Sequence, residues 1–332
     1  MSVFLPSLKK NGYLDQIHIT LCIVGSRKLK EFGQIYNIYA SQGWGLLAPN
    51  LTVYGFDADE EACNDMNNEL ESQSINWTEK HFPYALWDTS GKATLYITNY
   101  QACSSLYPPN LAYINRFGGD ANIMYKVIQT VEVQTTTLDD VLIASKDHFK
   151  EIDYLQIDVQ GGELNVLKGA ITSLKNVLAV VAEVEFMQVY KNQPLFSDVD
   201  VYLKDQGFSL FDLVGMYRTY GEKIPFPLSK NHPGRLLWGD AYYFHDLLAK
   251  EETTFLKTPE KLLKLACIAD AMDFYDYAME LLVHLTLNYG NSNENYNFSK
   301  VIFESIELLP EELKIKIISL PISIKLKELE AI

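Results

Sequence analysis

Acidic residues stand where apolar runs end, and their placement is the first sign of chemistry in this chain. The run ITLCIVG (19–25) ends at Gly25, LTVYGFD (51–57) at Asp57 with Asp59 close behind, and HFPYALWD (81–88) at Asp88. DYLQIDV (153–159) carries Asp158, and VLAVVAEVEF (177–186) carries Glu183 and Glu185, which share one strand face because they are two apart. A carboxylate at a second strand's tip accepts the hydroxyls of a ribose, which is one role open to Asp57. Capping the next helix is the other, and Asp59 suits that cap. Asp88 either accepts from an amino group such as adenine's or forms a plain Asp-Thr-Ser-Gly turn. Asp158 interrupts a segment built for burial, where an ionised carboxylate is costly unless it faces a ligand, a cation or several donors. Gly161 and Gly162 allow a tight passage into the next helix, and Glu163 in its first turn suits the helix dipole. Asp158 and Glu185 are expected to approach each other at one rim. Gly25 either lets backbone approach a ligand closely or makes an ordinary strand-to-helix turn. Acidic tips around one rim suit a neutral or cationic ligand with ribose and adenine and disfavour polyphosphate. No phosphate-binding GxxxxGK loop and no GxSxG nucleophile elbow occurs.

The elements that must position these residues follow from periodicity. From about Ile17 to Phe244, short β-branched runs alternate with amphipathic stretches, the pattern of an α/β sheet. Ligands of such sheets bind beyond the carboxyl ends of the strands, near the switch point. Leu29, Phe32, Tyr36 and Tyr39 predict a helix after the first strand, and EEACNDMNNELES predicts one after the second. ATLYIT (93–98) is expected to pair with HFPYALWD across the Ser90-Gly91 turn. Residues 99–130 read as a long loop, a feature that tends to be functional, and Ser104, Ser105, Tyr107 and Asn110 on it would face a substrate. VEVQTTTLDDVL passes from strand to a helix capped near Thr137. ELNVLKGAITSL predicts a helix with Leu164, Leu167, Ile171 and Leu174 as its apolar stripe. After a helix around DVDVYLKDQG, FSLFDLVG and AYYFHD lack a helix between them, so that end of the sheet is expected to be antiparallel. Residues 1–250 thus form one domain and 251–332 an α-helical appendage, with Pro259 in a first helical turn and a Gly/Asn/Ser break at 290–297 before two more helical stretches.

Composition bounds the partners. The 332 residues are 48% hydrophobic and 21% charged, with a mean hydropathy of -0.07, which excludes disordered and collagen-like chains. Acidic residues number 43 against 28 basic ones, for a net charge of -15. Such a surface repels phosphate backbones and anionic lipid unless one face is locally basic, and no dense Lys/Arg run occurs. Neither nucleic acid nor membrane is therefore expected as a partner. Cys22, Cys63, Cys103 and Cys267 lie far apart without metal-ligand spacing and read as reduced structural thiols. His81, His148, His232 and His245 show no ligand spacing either. The amino-terminal stretch lacks a signal-peptide apolar region, and the longest apolar run, 177–184, falls far short of the ~20 residues a bilayer demands. A soluble, cytoplasmic protein is expected.

The stretch from TTTLDD through YLQIDVQGGELNVLKGAITSL to AEVEFMQVYKNQPLFSDVDVYLKDQGFSLFDL resembles the FkbM family of S-adenosylmethionine-dependent methyltransferases. VYGFDADEEACNDMN, ALWDTSGKATLYIT and CSSLYPPN fall in that family's order, and RLLWGDAYYFHD is similar to a closing strand of one branch. The resemblance covers roughly 17–246 and implies a class I methyltransferase fold, a mainly parallel Rossmann-like sheet whose last strand is antiparallel. It implies O-methylation of a hydroxyl on a sugar or similar small molecule. Position by position it assigns Gly25, with Ser26 beside it, to the first cofactor loop, Asp57 to the ribose, Asp88 to adenine and Asp158 to the Asp-x-x-Gly-x-Glu block with Gly161 and Glu163. The family's frequent second glycine is absent, and Ser26 and Arg27 stand there instead. Asp158 and Glu185 are the candidates for taking the hydroxyl's proton; a divalent cation on the same oxygens would be another way to acidify it. A non-catalytic scaffold that uses the helical appendage for protein contacts is the rival reading. The acceptor and the oligomeric state stay open.

Overall fold

The computed structural model describes residues 2–27, 43–118, 121–144, 149–249 and 256–330. The helix expected from Leu29, Phe32, Tyr36 and Tyr39, His148, and the boundary near 250 lie outside the described residues. Twelve strands are described: β1 Ile19–Val24, β2 Leu51–Phe56, β3 Thr78–Phe82, β4 Ala85–Leu86, β5 Gly91–Thr98, β6 Val127–Thr136, β7 Tyr154–Ile157, β8 Ala179–Glu185, β9 Ser209–Val214, β10 Arg218–Thr219, β11 Arg235–Leu236 and β12 Trp238–Phe244. Seven form the main sheet in the order β3-β2-β1-β7-β8-β12-β9. Strands β3 to β8 of that sheet pair in parallel, and β12 runs antiparallel to both β8 and β9. This is the class I methyltransferase order with its antiparallel last strand. The chain winds outward from β1 to β3 and then returns to the other side of β1 at β7, so the switch point lies between β1 and β7.

Alternation along the strands builds a core on each face. Ile19, Leu21 and Ile23 of β1 join one core, whereas Cys22 and Val24 join the other. The second core is covered by α3 (Leu138–Ala144), α4 (Glu163–Lys168) and α5 (Phe196–Asp205), which follow α1 (Leu5–Lys10) and α2 (Glu60–Ser72) in the chain. Thr137 caps α3, its Oγ1 accepting from the Asp140 N–H at 2.9 Å. Helix α4 stops at Lys168, and the chain continues in a short 3-10 turn, Ser173–Lys175. Leu164, Leu167 and Leu174 are buried as expected, but Ile171 falls off the stripe and is 49% exposed.

The first core is shared with the carboxyl-terminal helices α6 (Pro259–Ala271), α7 (Tyr275–Tyr289), α8 (Ser299–Ile306), α9 (Glu311–Ile318) and α10 (Pro321–Glu330). Three helices, not two, follow the 290–297 break. Leu262, Leu265, Leu281 and Phe298 pack in one cluster with Ile19, Val53, Tyr154 and Val181 of the sheet. Two polar latches reinforce that docking. Buried Lys264 Nζ lies 3.1 Å from both carboxylate oxygens of Asp153, just before β7. Buried Asp270 accepts from the backbone N–H groups of Val3, Phe4 and Leu5, satisfying the start of α1.

HFPYALWD is not a single strand: Pro83, which lacks an N–H, ends the ladder at Phe82. Ala85–Leu86 instead joins a separate three-stranded sheet, β4-β6-β5, in which β5 pairs antiparallel with β6 and not with the strand before it. The expected loop also ends earlier, because β6 begins at Val127. Residues 99–126 contain the helical turns Leu111–Ile114 and Ala121–Met124 and share a third core, with Cys103, Ile114, Phe117, Tyr125, Tyr190 and Leu237 buried together. All four cysteines are buried and free, and burial pushes the Cys63 and Cys103 thiols up to about 12 and about 11. Among the described residues no helix is long and apolar enough to cross a membrane.

Candidate functional site

The switch point delivers three chain segments to one place. Val24 is in register with Phe56 on one side and Ile157 on the other, so Gly25, Asp57 and Asp158 leave the sheet side by side. Gly25 turns at φ +80°, and a Cβ there would stand 1.8 Å from the Asp158 carbonyl oxygen. Only glycine fits that contact.

These tips floor a cavity of about 700 Å3, within the ~300–1,000 Å3 usual for small-molecule sites. Its apolar walls come from Phe56, Leu86 and Trp87 and, across the gap, from Leu95, Ile97 and Val131 of the second sheet. Among the described residues its polar lining is strongly acidic: Asp57, Asp59, Glu60, Glu61, Asp65 and Asp158 stand with Arg27 as the one cation described there. Asp57 accepts from the Arg27 N–H at 3.1 Å and the Asp59 N–H at 2.9 Å. Burial pushes its carboxyl upward, opposed by those N–H groups and the Arg27 charge. Asp59 caps α2 by accepting from the Ala62 N–H at 3.0 Å. The Arg27 guanidinium pairs with Asp59 at 2.8 Å and donates to Gln101 at 2.7 Å, so its charge is used within the wall and ties β1's loop to residues 99–126.

Asp158 is exposed toward the cavity, and its Oδ1 accepts from Gln160 Nε2 at 2.9 Å. The same nitrogen donates to Glu183 at 2.5 Å, while the Tyr190 hydroxyl, with one proton to give, lies 2.9 Å from both Gln160 Oε1 and the Cys103 carbonyl. Gln160, in a left-handed backbone conformation at φ +58°, therefore joins Asp158 to Glu183 through its amide nitrogen. Behind this pair, buried Glu163 accepts from the Val159 N–H at 2.9 Å and the Gly161 N–H at 3.2 Å, and burial raises its carboxyl to about 8. Burial and then neighbouring carboxylates hold Glu183 and Glu185 well above the usual range. Asp240, in register with Glu183, is raised to about 6 by burial and by Asp158.

The remaining sequence candidates divide. Ser104 and Ser105 line the cavity, with Ser105 Oγ donating to the Gln160 carbonyl at 2.7 Å. Glu185, 4% exposed, belongs to the same charged cluster but lies outside the wall. Ser26 points away, its buried Oγ 2.9 Å from His81 Nδ1. Asp88 also lies outside the wall, accepting from Asn165 Nδ2 at 2.7 Å and from Thr89 at 3.1 Å. Tyr107 joins that group through Asn165 Oδ1 at 2.8 Å, and the Asn110 N–H stitches the loop to the Val189 carbonyl at 2.7 Å. Gln160, Tyr190 and Asp240 escaped sequence reasoning. For Gln160 the only available signal was its place between Asp158 and the Gly161-Gly162 pair; for the other two there was none. Among the described residues no group of three or more His, Cys, Asp or Glu is arranged to hold a metal ion. The divalent cation considered from the sequence finds no ligand set there.

No curated protein sequence matches the chain. Among solved structures it is similar to a methyltransferase FkbM from Methylobacillus flagellatus KT, at 10% identity and a TM-score of 0.36, over 68% of this chain and 43% of that one. The chain thus spans less than half the length of that relative. It is also similar to a putative tRNA (m1A22) methyltransferase from Streptococcus pneumoniae solved in complex with S-adenosyl-L-methionine, at 11% identity and a TM-score of 0.32, over 89% of this chain and 96% of that one. The sequence model of the methyltransferase FkbM domain matches residues 40–210, just over half of the chain, and on that match the chain belongs to the FkbM methyltransferase family.

Proposed function

We propose that this protein is an S-adenosylmethionine-dependent O-methyltransferase acting on a hydroxyl of a sugar or glycan-type small molecule. The observation that carries the reading is the acidic, apolar-walled cavity at the switch point, with Asp57 at the second strand's tip. The residues present fit the cofactor. The wall's carboxylates favour a positive sulfonium and oppose a polyphosphate, the apolar patch of Phe56, Leu86 and Trp87 suits a purine face, and Asp57 stands where a ribose acceptor belongs. Bound there, S-adenosylmethionine supplies a methyl group on positive sulfur, already activated for in-line transfer.

This chain's part is then to position the acceptor and to manage its proton. Asp158 is the residue assigned to accept that proton, because its carboxylate is open to the cavity. Gln160 holds Asp158 in place through its amide nitrogen. Glu183, raised by burial and by its neighbours, shares the Gln160 amide. Gln101, Ala102, Ser104, Ser105 and Leu106 complete the wall. The test is incubation of the full chain and cofactor with a pooled glycan and nucleotide-sugar extract, read by mass spectrometry. A methylated product that disappears with Asp158→Asn supports the reading. Cofactor binding without any methylated product from such a pool would overturn the acceptor class.

A further inference from the structure

The strands β10 and β11 close a hairpin whose tip is unlike the rest of this acidic protein. Every residue from 222 to 232 is exposed. Ile224, Phe226 and Leu228 are 50%, 57% and 83% exposed, and Pro225 and Pro227 between them stiffen the backbone. Arg218, Lys223, Lys230 and Arg235 flank this tip with Glu222 as the one acidic residue between 216 and 236, in a chain of net charge -15. The sequence, scanned for Lys/Arg runs, hid this concentration because the four cations are spread along 18 positions that the antiparallel pairing of Arg218–Thr219 with Arg235–Leu236 folds back on themselves.

The base of the hairpin is braced. Tyr217 stacks on Trp238 with ring centroids 5.0 Å apart, the Gly118 N–H donates to the Tyr220 carbonyl at 3.1 Å, and the Glu222 N–H donates to the Arg116 carbonyl at 3.1 Å. The apolar tip is therefore presented by a fixed support. Large apolar side chains held in water at such a tip mark an interaction surface.

We propose that this hairpin docks the protein on an anionic lipid surface, Ile224, Phe226 and Leu228 entering the headgroup–acyl boundary and the four cations meeting the lipid phosphates. Charge complementarity selects the occupant: an apolar tip with Lys223 and Lys230 beside it and Arg218 and Arg235 at its base matches a layer that is apolar inside and anionic at its boundary. An acidic protein would satisfy the cations but would need a pocket for the wedge, and becomes the reading to pursue if lipid fails. Docking in this way does not depend on the methyl-transfer reading.

The test is co-sedimentation of the full chain with vesicles of phosphatidylcholine alone or mixed with phosphatidylglycerol. The chain is expected to pellet with the anionic vesicles and stay in solution with the neutral ones. Phe226→Asp combined with Leu228→Asp, and separately Lys223→Glu combined with Lys230→Glu, each lower the bound fraction about tenfold with an unchanged unfolding midpoint. Equal binding to both vesicle types, no binding to either, or variants that pellet like the wild type would each overturn the proposal.

Discussion

At the scale of single residues, the proposed chemistry rests on one carboxylate that opens to the cavity while its neighbours are buried and raised. Asp158 faces the cavity, whereas Glu163, Glu183 and Glu185 behind it are raised by burial. Asp158→Asn keeps the shape and the Gln160 contact site but cannot take a proton. It is expected to lower kcat by about 10²-fold or more while cofactor affinity stays within about threefold. A parallel loss of affinity, measured by calorimetry, would assign Asp158 to binding instead. Glu163 makes a second prediction. Its folded carboxyl titrates at about 8 against an ordinary 4.5, so the native state binds the proton more tightly than the unfolded chain. Stability from this group is complete below the ordinary value and is lost as pH rises toward about 8. Glu163→Gln, neutral throughout, is expected to flatten the fall in urea midpoint between about pH 5 and about pH 8. An unchanged slope would show that other groups carry it. Asp57 and Asp158 were legible in the sequence because a charge at the end of an apolar run needs an explanation. Gln160 and Tyr190 were not, because their contacts form between residues 30 apart without any periodic spacing.

At the scale of elements, most of the sheet was readable and the interruptions were not. The runs that became β1, β2, β7 and β8 are nearly continuous in apolar residues, the mark of strands buried on both faces. Asp59 and Thr137 announced two helix starts. The split at Pro83 was missed because ALWD continues the apolar run, although proline removes the donor the ladder needs. Ile171 was misplaced because helical spacing was extended past Lys168. Gly25 links this scale to the site, since the β1 turn and the Asp158 backbone share one contact. Gly25→Ala would force a Cβ into a carbonyl oxygen and a positive φ on alanine, and is expected to cost roughly 2–4 kcal/mol of stability. A urea titration showing a loss below about 0.5 kcal/mol would mean that the turn can move aside.

At the scale of the whole molecule, the carboxyl-terminal helices are packed into the sheet's own core. Composition changes after about Glu251, which suggested a separate unit, but composition cannot report that Leu262 and Leu281 bury against Ile19 and Val181. We propose that the two parts unfold together. Lys264→Met would leave Asp153 buried with Lys261 at 3.4 Å as its remaining ion-pair partner, and is expected to cost up to about 3–5 kcal/mol. Because the core is shared, the loss should appear as one shifted transition. Two separate transitions in circular dichroism and fluorescence would contradict a common core. The acidic cavity is predicted to bind S-adenosylmethionine. Titration calorimetry of the full chain with S-adenosylmethionine, repeated with Asp57→Ala, tests this most directly. One site per chain is predicted, weakened about 10- to 100-fold by the substitution through loss of hydrogen bonds to a charged acceptor. No heat at millimolar cofactor, or equal affinity in the two proteins, would contradict it.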